Sequence, residues 1–550
     1  MTKDPTAGAR ELFEAVYEGA DDAVVRLLRA GVPAEATDED GQTVLYLASV
    51  SDEPGLVRLL LTAGADPDRP SGPADGPEGG DLPLCAAACG GHTEVVRALL
   101  AAGARPDRRE SYELTAMVWA VRQGFADTAE ALLEYGADPD LPGPGGEPPL
   151  LLASRRGSTA TVRVLLRYGA TGRHAALVEA RRWMGLDVAA ELRSSLLAGF
   201  GDGYETMVRR IDRTGEDGDV DGNGGGGGNG DRDATGGADG SVTVVVELLR
   251  NGRPVAGQEQ QTGHAAVATL LEAELGLRTP YEELAARALR CGNPRRDDWI
   301  EAVGALARRG DEETFRKAAE WCAGDEPERQ TFGAEVLARL GTEGGTGDGA
   351  AGTGFTARAV PLLRALSREA VEPELVRAVL EGLGRHGDPA ALPEVLRHTG
   401  HPDARVRRRV ALALPALVPP AGPDHPGGSE HPGGSGRMGR AVRAGVLLSR
   451  DADGPVRDRA VIALAGMAVD TYEVREALAA RLNDPDADTA ATAAHGLAVR
   501  QDPRALDALA RLLADEAPDS SARRTAVDAV GHVPEGPERR RLERTLPRPR

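Results

Sequence analysis

The sequence predicts an all-α chain built as two α-solenoids joined by a disordered Gly/Asp linker. Three observations predict it. Over residues 9–170 an apolar pair followed by glycine returns at a nearly constant step, as in stacked helical units. Over residues 291–535 short amphipathic hairpins recur, each too small to bury its own apolar stripe. Between the two lies DRTGEDGDVDGNGGGGGNGDRDATGGADG, whose glycines and aspartates offer almost nothing to a core. Composition agrees, because 550 residues exceed one domain and aromatic residues are only 3%, which suits solenoids held by small side chains better than one large core.

In the first array Gly31-Val32, Gly64-Ala65, Gly103-Ala104, Gly136-Ala137 and Gly169-Ala170 stand 33, 39, 33 and 33 residues apart. The longer step contains the Pro/Gly-rich SGPADGPEGG at 71–80. Before each glycine stands an apolar pair, from Leu27-Leu28 to Leu165-Leu166, so the glycine reads as the left-handed terminator of a helix. TVLYLA (43–48), LPLCAA (82–87), TAMVWA (115–120) and PPLLLA (148–153) open helices in the same register. These segments resemble the T-P-L-H-x-A helix start of ankyrin repeats. The resemblance implies five repeats with short β-hairpin turns, assigned to residues 1–173, and a groove lined by hairpin tips and by the two positions after the helix-start motif. Carried over, the tips offer Glu39, Asp40, Gln42, Ser111, Tyr112 and Glu147. The helix positions offer Val50, Ser51, Cys89, Gly90, Arg122, Gln123, Arg155 and Arg156. The later repeats then present a small basic and aromatic patch, for which an acidic segment of a protein partner is the natural match. The plain alternative is that these arginines only solvate a helical face.

HAALVEARRWMGLDVAAELRSSLLAGF (174–200) and ETMVRRI (205–211) read as helices that cap the stack, with Trp183 packed on it, and 212–241 as the linker. Within the linker Asp217, Asp219 and Asp221 before Gly222 are spaced like the front of a calcium loop. Gly228 or Gly230 stands where a bidentate Glu is required, so a flexible linker is the reading. Residues 242–290 open with VTVVVELLRNGRPVAGQEQ, whose β-rich composition around Asn251-Gly252 predicts a hairpin, followed by two helical stretches.

The clearest unit of the second array is GDPAALPEVLRHTGHPDARVRRRVALALPAL, residues 387–417. Asp388 predicts the cap of a helix starting at Pro389, with Leu392, Val395 and Leu396 on one face. Pro402 predicts the start of a second helix with a stripe of Val406, Val410, Ala413 and Leu417. Aligning such second helices brings Arg329, Arg377, Arg407, Arg457 and Arg523 into register, with Thr489 at the remaining place. Three steps are 30, 32 and 34, and the other two are 48 and 50, where the Gly/Pro/Ser insertions 341–354 and 419–439 intervene. This array, 291–535, is similar to short bacterial HEAT-like repeats of the bilin-lyase type, and a basic tail follows at 536–550. The resemblance implies that the aligned arginines link to acidic groups of neighbouring repeats. Arg405, Arg408, Arg409, Arg440 and Arg443 lie outside that ladder and offer a candidate basic strip.

Several chemistries are closed. Neither Lys3 nor Lys317 follows a glycine, so there is no P-loop, and no histidine precedes a glutamate, so there is no H-E-x-x-H helix. Ser429 and Ser435 fall in an insertion rather than at a strand-to-helix elbow. Cys85, Cys89 and His92 have i, i+4, i+7 spacing, but Cys85 falls at a buried motif position, so a structural cluster is expected and no metal. Four scattered cysteines, a start without an apolar signal core and no run of 18 apolar residues predict a cytoplasmic protein that does not enter a membrane. The excess of Ala, Gly and Arg over Lys associates with a GC-rich bacterial genome. A net charge of −21 disfavours nucleic acid as a partner. The expected function is an intracellular scaffold or adaptor for protein partners, not an enzyme, with no cofactor. The HEAT resemblance implies two alternatives, a client- or prosthetic-group-modifying factor and a HEAT-type DNA-binding protein.

Overall fold

The computed structural model describes residues 5–72, 80–201, 203–212, 240–341, 351–418, 434–517 and 520–545. The linker aspartates, most of both insertions, Ser429 and the end of the basic tail lie outside the described residues. Among the described residues the fold is all-α with one small sheet, and the chain divides into two compact units, Met1–Ala305 and Leu306–Arg550.

The first unit opens with five helical hairpins. These are α1 (Pro5–Tyr17) with α2 (Asp21–Arg29), α3 (Val44–Val50) with α4 (Pro54–Thr62), α5 (Pro83–Gly90) with α6 (Thr93–Ala101), α7 (Ala116–Gln123) with α8 (Ala126–Glu134), and α9 (Pro149–Arg156) with α10 (Thr159–Arg167). First helices pack on first helices and second on second, giving two rows. Thr43 and Thr115 cap α3 and α7, each side-chain oxygen accepting from a backbone N–H three residues on. Gly31, Gly64, Gly103, Gly136 and Gly169 end the second helices at φ 92, 98, 95, 87 and 86°, a region an L side chain enters only with strain. Leu60, Leu99, Leu132 and Leu165, the first of each later leucine pair, are fully buried. The connecting loops are tied by Asp68, Asp107 and Asp140, whose carboxylates accept from the backbone N–H of Arg105, Asp138 and Thr171 in the following repeat at 3.1, 3.0 and 2.8 Å.

The stack does not stop at 173. Helix α11 (Arg173–Trp183) continues the first-helix row on α9. The chain then leaves through α12 (Val188–Phe200) and an antiparallel sheet of β1 (Glu205–Asp212), β2 (Val242–Arg250) and β3 (Arg253–Gln261), in the order β1-β2-β3. It returns as α13 (His264–Glu274), which packs on α11, α10 and α9 and adds Val267, Ala268 and Leu271 to the core that holds Leu165 and Leu177. Helix α13 therefore fills the second-helix place of a sixth repeat, and α12 with the sheet is an insertion inside that repeat. The boundaries expected at 173, 211 and 241 cut through this repeat. Helix α11 carries a stripe of Ala176, Leu177 and Ala180 that a second helix must cover, and the helix that does so is far off in sequence.

ETMVRRI is a strand, not the helix expected. Its residues alternate across β2 in register, Val208 facing Val246 and Thr206 facing Leu248, and two glycines before it stop α12 from continuing. Val188, Leu192 and Leu196 of α12 cover Val244, Val246 and Leu248 of β2. The β2–β3 turn has Asn251 at φ 54° and Gly252 at φ 72°, the two left-handed residues of a tight hairpin. Trp183 stacks on His264 at 5.4 Å, closing the return to α13. Helix α14 (Tyr281–Cys291) buries Arg287 against Glu272 of α13, and the start of α15 (Asp297–Arg309) buries Trp299.

The second unit contains α16 (Glu312–Cys322) with α17 (Pro327–Arg339), α18 (Ala351–Glu369) with α19 (Pro373–His386), and a 3-10 turn (Pro389–Ala391) leading into α20 (Leu392–Leu396) with α21 (Ala404–Leu417). It continues with α22 (Gly434–Leu448) and α23 (Gly454–Gly466), α24 (Tyr472–Ala479) and α25 (Ala487–Val499), α26 (Ala505–Asp515) and α27 (Ser521–Val530), and α28 (Pro537–Glu543). The second helices from α17 to α27 pack in one row. Val406, Val410, Ala413 and Leu417 are buried in it. Helix α21 starts at Ala404 rather than Pro402 because the Asp403 carboxylate accepts from the Arg405 N–H at 2.8 Å, which makes Asp403 the cap. Helices α18 and α22 begin inside the glycine tracts taken as insertions. Glycine costs a helix only about 1 kcal/mol relative to alanine, and the apolar residues that follow, such as Ala359, Val360 and Leu363, are buried.

The arginine ladder has two full rungs. Arg407 grips Asp451 at 2.7 and 2.8 Å and donates to the carbonyls of His401 and Pro402. Arg457 repeats this with Asp484 and the carbonyls of Asp451 and Ala452. Arg377 and Arg329 instead pair one turn back, with Glu374 and Glu326, while Thr489 donates to Asp486 and Arg523 to the carbonyl of Glu516.

Candidate functional site

The first helices of repeats two to four and the loops before them form one connected patch. At the first tip Asp38 holds the turn, its carboxylate accepting from the N–H groups of Asp40 and Gln42 at 3.0 and 2.8 Å, which leaves Glu39 and Asp40 exposed. At the next tips Ser111 donates to Asp81 at 3.1 Å, and the Trp119 indole N–H donates to Glu110. Tyr46 lies within the electrostatic reach of both carboxylates. Its hydroxyl is pushed up to about 12, first by burial and then by Asp81 and Glu110. Glu110 is buried at the base of the patch; burial raises its pKa above the usual carboxylate range, against the hydrogen bond from Trp119.

Around this base stand the residues expected from the sequence. Tyr112 is 68% exposed. The Arg122 guanidinium lies 5.7 Å from the Trp119 ring centroid, and Gln123 reaches the Cys89 sulfur at 3.9 Å. Tyr46, Asp81, Glu110 and Trp119 were not among the candidates. A signal for two of them was present, since Tyr46 fills the motif's histidine place and Trp119 its variable place in a chain with few aromatics.

Arg155 and Arg156, expected to face a partner, are engaged by the chain itself. Arg155 makes a two-pronged pair with Glu147 at 2.6 and 3.0 Å and donates to Glu179 at 2.9 Å. Arg156 pairs with Glu259 of β3 and donates to the carbonyl of Arg122 at 2.7 Å. Gln260 and His264 meet the Arg155 carbonyl at 2.8 and 2.9 Å, and the Gly263 N–H meets the Gly157 carbonyl at 3.2 Å. The end of the inserted hairpin thus lies across the end of α9. Glu259 is 103 residues from Arg156 in sequence, so no local pattern announces the contact.

In the second unit the five arginines of the candidate strip are divided between the two helix rows. Arg405, Arg408 and Arg409 are on α21, Arg440 and Arg443 on α22. Arg405 pairs with Asp403 and Glu374, and Arg409 with Glu381 at 3.3 Å. Arg440 donates to the Gly436 carbonyl. Three cysteines carry thiols raised by burial. Cys85 lies well above the usual range, Cys322 is pushed up to about 12, and Cys291 is raised too, the reverse of what a nucleophilic thiolate needs.

The family model of ankyrin repeats, in three copies, matches residues 12–110 and 73–143, and that of HEAT repeats matches residues 445–533. The chain carries ankyrin and HEAT repeats. Both kinds are generally protein-interaction modules, and no curated protein matches the chain. The ankyrin match covers the whole Tyr46–Trp119 patch and stops before repeats five and six, the second of which is interrupted by the insertion. Among the described residues no helix is long and apolar enough to cross a membrane.

Proposed function

We propose that the chain is a non-catalytic scaffold that holds a protein partner on ankyrin repeats two to four, with the HEAT array as a second grip on the same assembly. The observation that supports this best is that Arg122 lies over a Trp119 ring fixed by Glu110, with Tyr112 exposed on the loop before the same helix. Tyrosine, tryptophan and arginine on a preordered base are the side chains that dominate interface energetics. The carboxylates of Glu39, Asp40, Asp81 and Glu110 outnumber the guanidinium groups of Arg109 and Arg122, and Arg155 and Arg156 have carboxylates of their own. The face therefore favours a partner segment with a basic or aromatic residue over an acidic one. Two modest contacts on one chain gain affinity when both reach the same assembly.

The test is capture from a native lysate by the full chain, beside the Tyr112→Ala/Arg122→Ala double variant. Retention of a protein partner should fall at least tenfold with helical content unchanged. Equal retention by parent and variant would remove this face from the binding site.

A further inference from the structure

We infer that His495, Asp528 and His532 form a binding site for a divalent transition-metal ion of the zinc class, between the last two HEAT hairpins. Helix α25 presents His495. The last turn of α27 presents Asp528, and His532 follows four residues later on a turn that keeps helical dihedrals through Gly531, so the two share one side. His495 Nε2 lies 3.2 Å from an Asp528 carboxylate oxygen, and the two imidazole rings meet edge to face at 5.2 Å. One donor atom from each of the three residues lies within 4.8 Å of the other two.

Tetrahedral zinc with bonds of about 2.0–2.1 Å spaces its donor atoms about 3.3–3.4 Å apart. One pair already stands at that spacing, and a side-chain rotation of the exposed His532 brings the third donor in. Two imidazoles and one carboxylate suit zinc-class ions, whereas calcium and magnesium take oxygen shells.

Two further features favour a cation here. Asp528 puts a carboxylate in the last turn of a helix, where the macrodipole is already negative, and a bound cation offsets that conflict. The turn that carries His532 is held on both sides, because Arg539 donates to the carbonyls of Gly531 and Val533 at 3.4 and 3.3 Å and Val533 is buried. Such outer contacts fix the direction of a ligand. Asp528 is 75% exposed, so the fourth position opens to water or to a donor from another molecule. The ion would tie α25 to α27 and brace that end of the array.

The test is calorimetric titration of the untagged full-length chain with zinc chloride after chelator treatment and dialysis, repeated with cobalt(II) as an optical probe. One equivalent should bind, with the visible bands of four-coordinate cobalt and without sulfur charge-transfer, which separates this site from the cysteines. His495→Ala/His532→Ala should lose that equivalent, and Asp528→Asn, a near-isosteric change at an exposed position, should weaken it at least tenfold. At a fixed zinc concentration the unfolding temperature should rise most for the parent, less for Asp528→Asn and not at all for the double variant. If the double variant misfolds, Asp528→Asn decides alone. Absence of zinc binding, or equal affinity in parent and Asp528→Asn, overturns the assignment.

Discussion

Replacing Gly157 with alanine separates the inserted hairpin from the groove end more cleanly than any deletion. Gly157 ends α9 at φ 72°, and a Cβ there would stand 2.5 Å from the Gln261 carbonyl oxygen and 2.8 Å from His264 Nε2. Two costs add. The left-handed backbone costs an L-residue roughly 1–2 kcal/mol, and forcing an extra methyl into a filled space costs about 1–3 kcal/mol. Gly136→Ala is the control, since that glycine has φ 87° with nothing within 4 Å of its added Cβ. Both variants carry the backbone cost, and only Gly157→Ala carries the second. The assay is hydrogen exchange of the amides of residues 254–267 in the full chain. In Gly157→Ala these amides should exchange about 5- to 150-fold faster, the factor that about 1–3 kcal/mol corresponds to, while in Gly136→Ala they should keep the parent rate. Equal exchange in the two variants would show that the hairpin does not rest on α9, and the closed state of Arg155 and Arg156 would fall with it.

The buried pair between α13 and α14 gives a second prediction. Arg287 is 1% and Glu272 2% exposed; burial acts to raise the Glu272 pKa, and the hydrogen bonds from Arg287, Thr279 and Arg181 outweigh it. Arg287→Ala should cost about 3–5 kcal/mol of first-unit stability by urea unfolding, and a loss below about 1 kcal/mol would mean that water reaches the pair. In the HEAT array, Leu414→Ala, at 0% exposure, should cost about 2–5 kcal/mol. Leu447→Ala, exposed on α22, should stay within about 0.5 kcal/mol; equal losses would contradict the assignment of rows. Asp298 and Asp502 should respond to pH in opposite senses. Burial pushes Asp298 up to about 6 from an ordinary 3.8, so its contribution is fully present below about 3.8 and is lost as pH rises through about 6. Arg504 holds Asp502 down near 2, so its contribution is present above about 3.8 and is lost as pH falls through about 2. Urea midpoints between pH 2 and 7 should show Asp298→Asn flattening the upper limb and Asp502→Asn the lower; unchanged slopes would refute either assignment.

What could be seen in the sequence was what is local. The Gly31-to-Gly169 series and the leucine pairs announce each ankyrin hairpin because terminator and stripe sit within one turn of each other. Asn251-Gly252 announces its turn for the same reason. The sixth repeat escaped because its two helices, α11 and α13, are separated by a whole inserted sheet, and neither is amphipathic in a way that names its partner. ETMVRRI escaped because seven residues with two arginines fit a helix turn as well as an edge strand until β2 is placed beside it. In the candidate site Tyr112 and Arg122 were found from motif offsets. Glu110 and Asp81 were not, since their importance comes from contacts with Trp119, Ser111 and Tyr46 across repeats. The Arg407 and Arg457 rungs were foreseeable from the repeat, but their neighbours Arg329 and Arg377 have a glutamate one turn back that competes for the guanidinium.

Because α13 completes a repeat begun by α11, the order of the backbone and the order of the packing disagree between β1 and β2. Cleaving the chain between 213 and 239 would break a covalent thread without separating the pieces it joins, because β1 is still paired to β2 along its length and α13 still roofs Ala176, Leu177 and Ala180. The two fragments should then act as complementing halves joined through a shared half-core. Expressed apart, each would carry an unroofed apolar strip. Any dissection into a free ankyrin piece must therefore keep α13 with the helices before it.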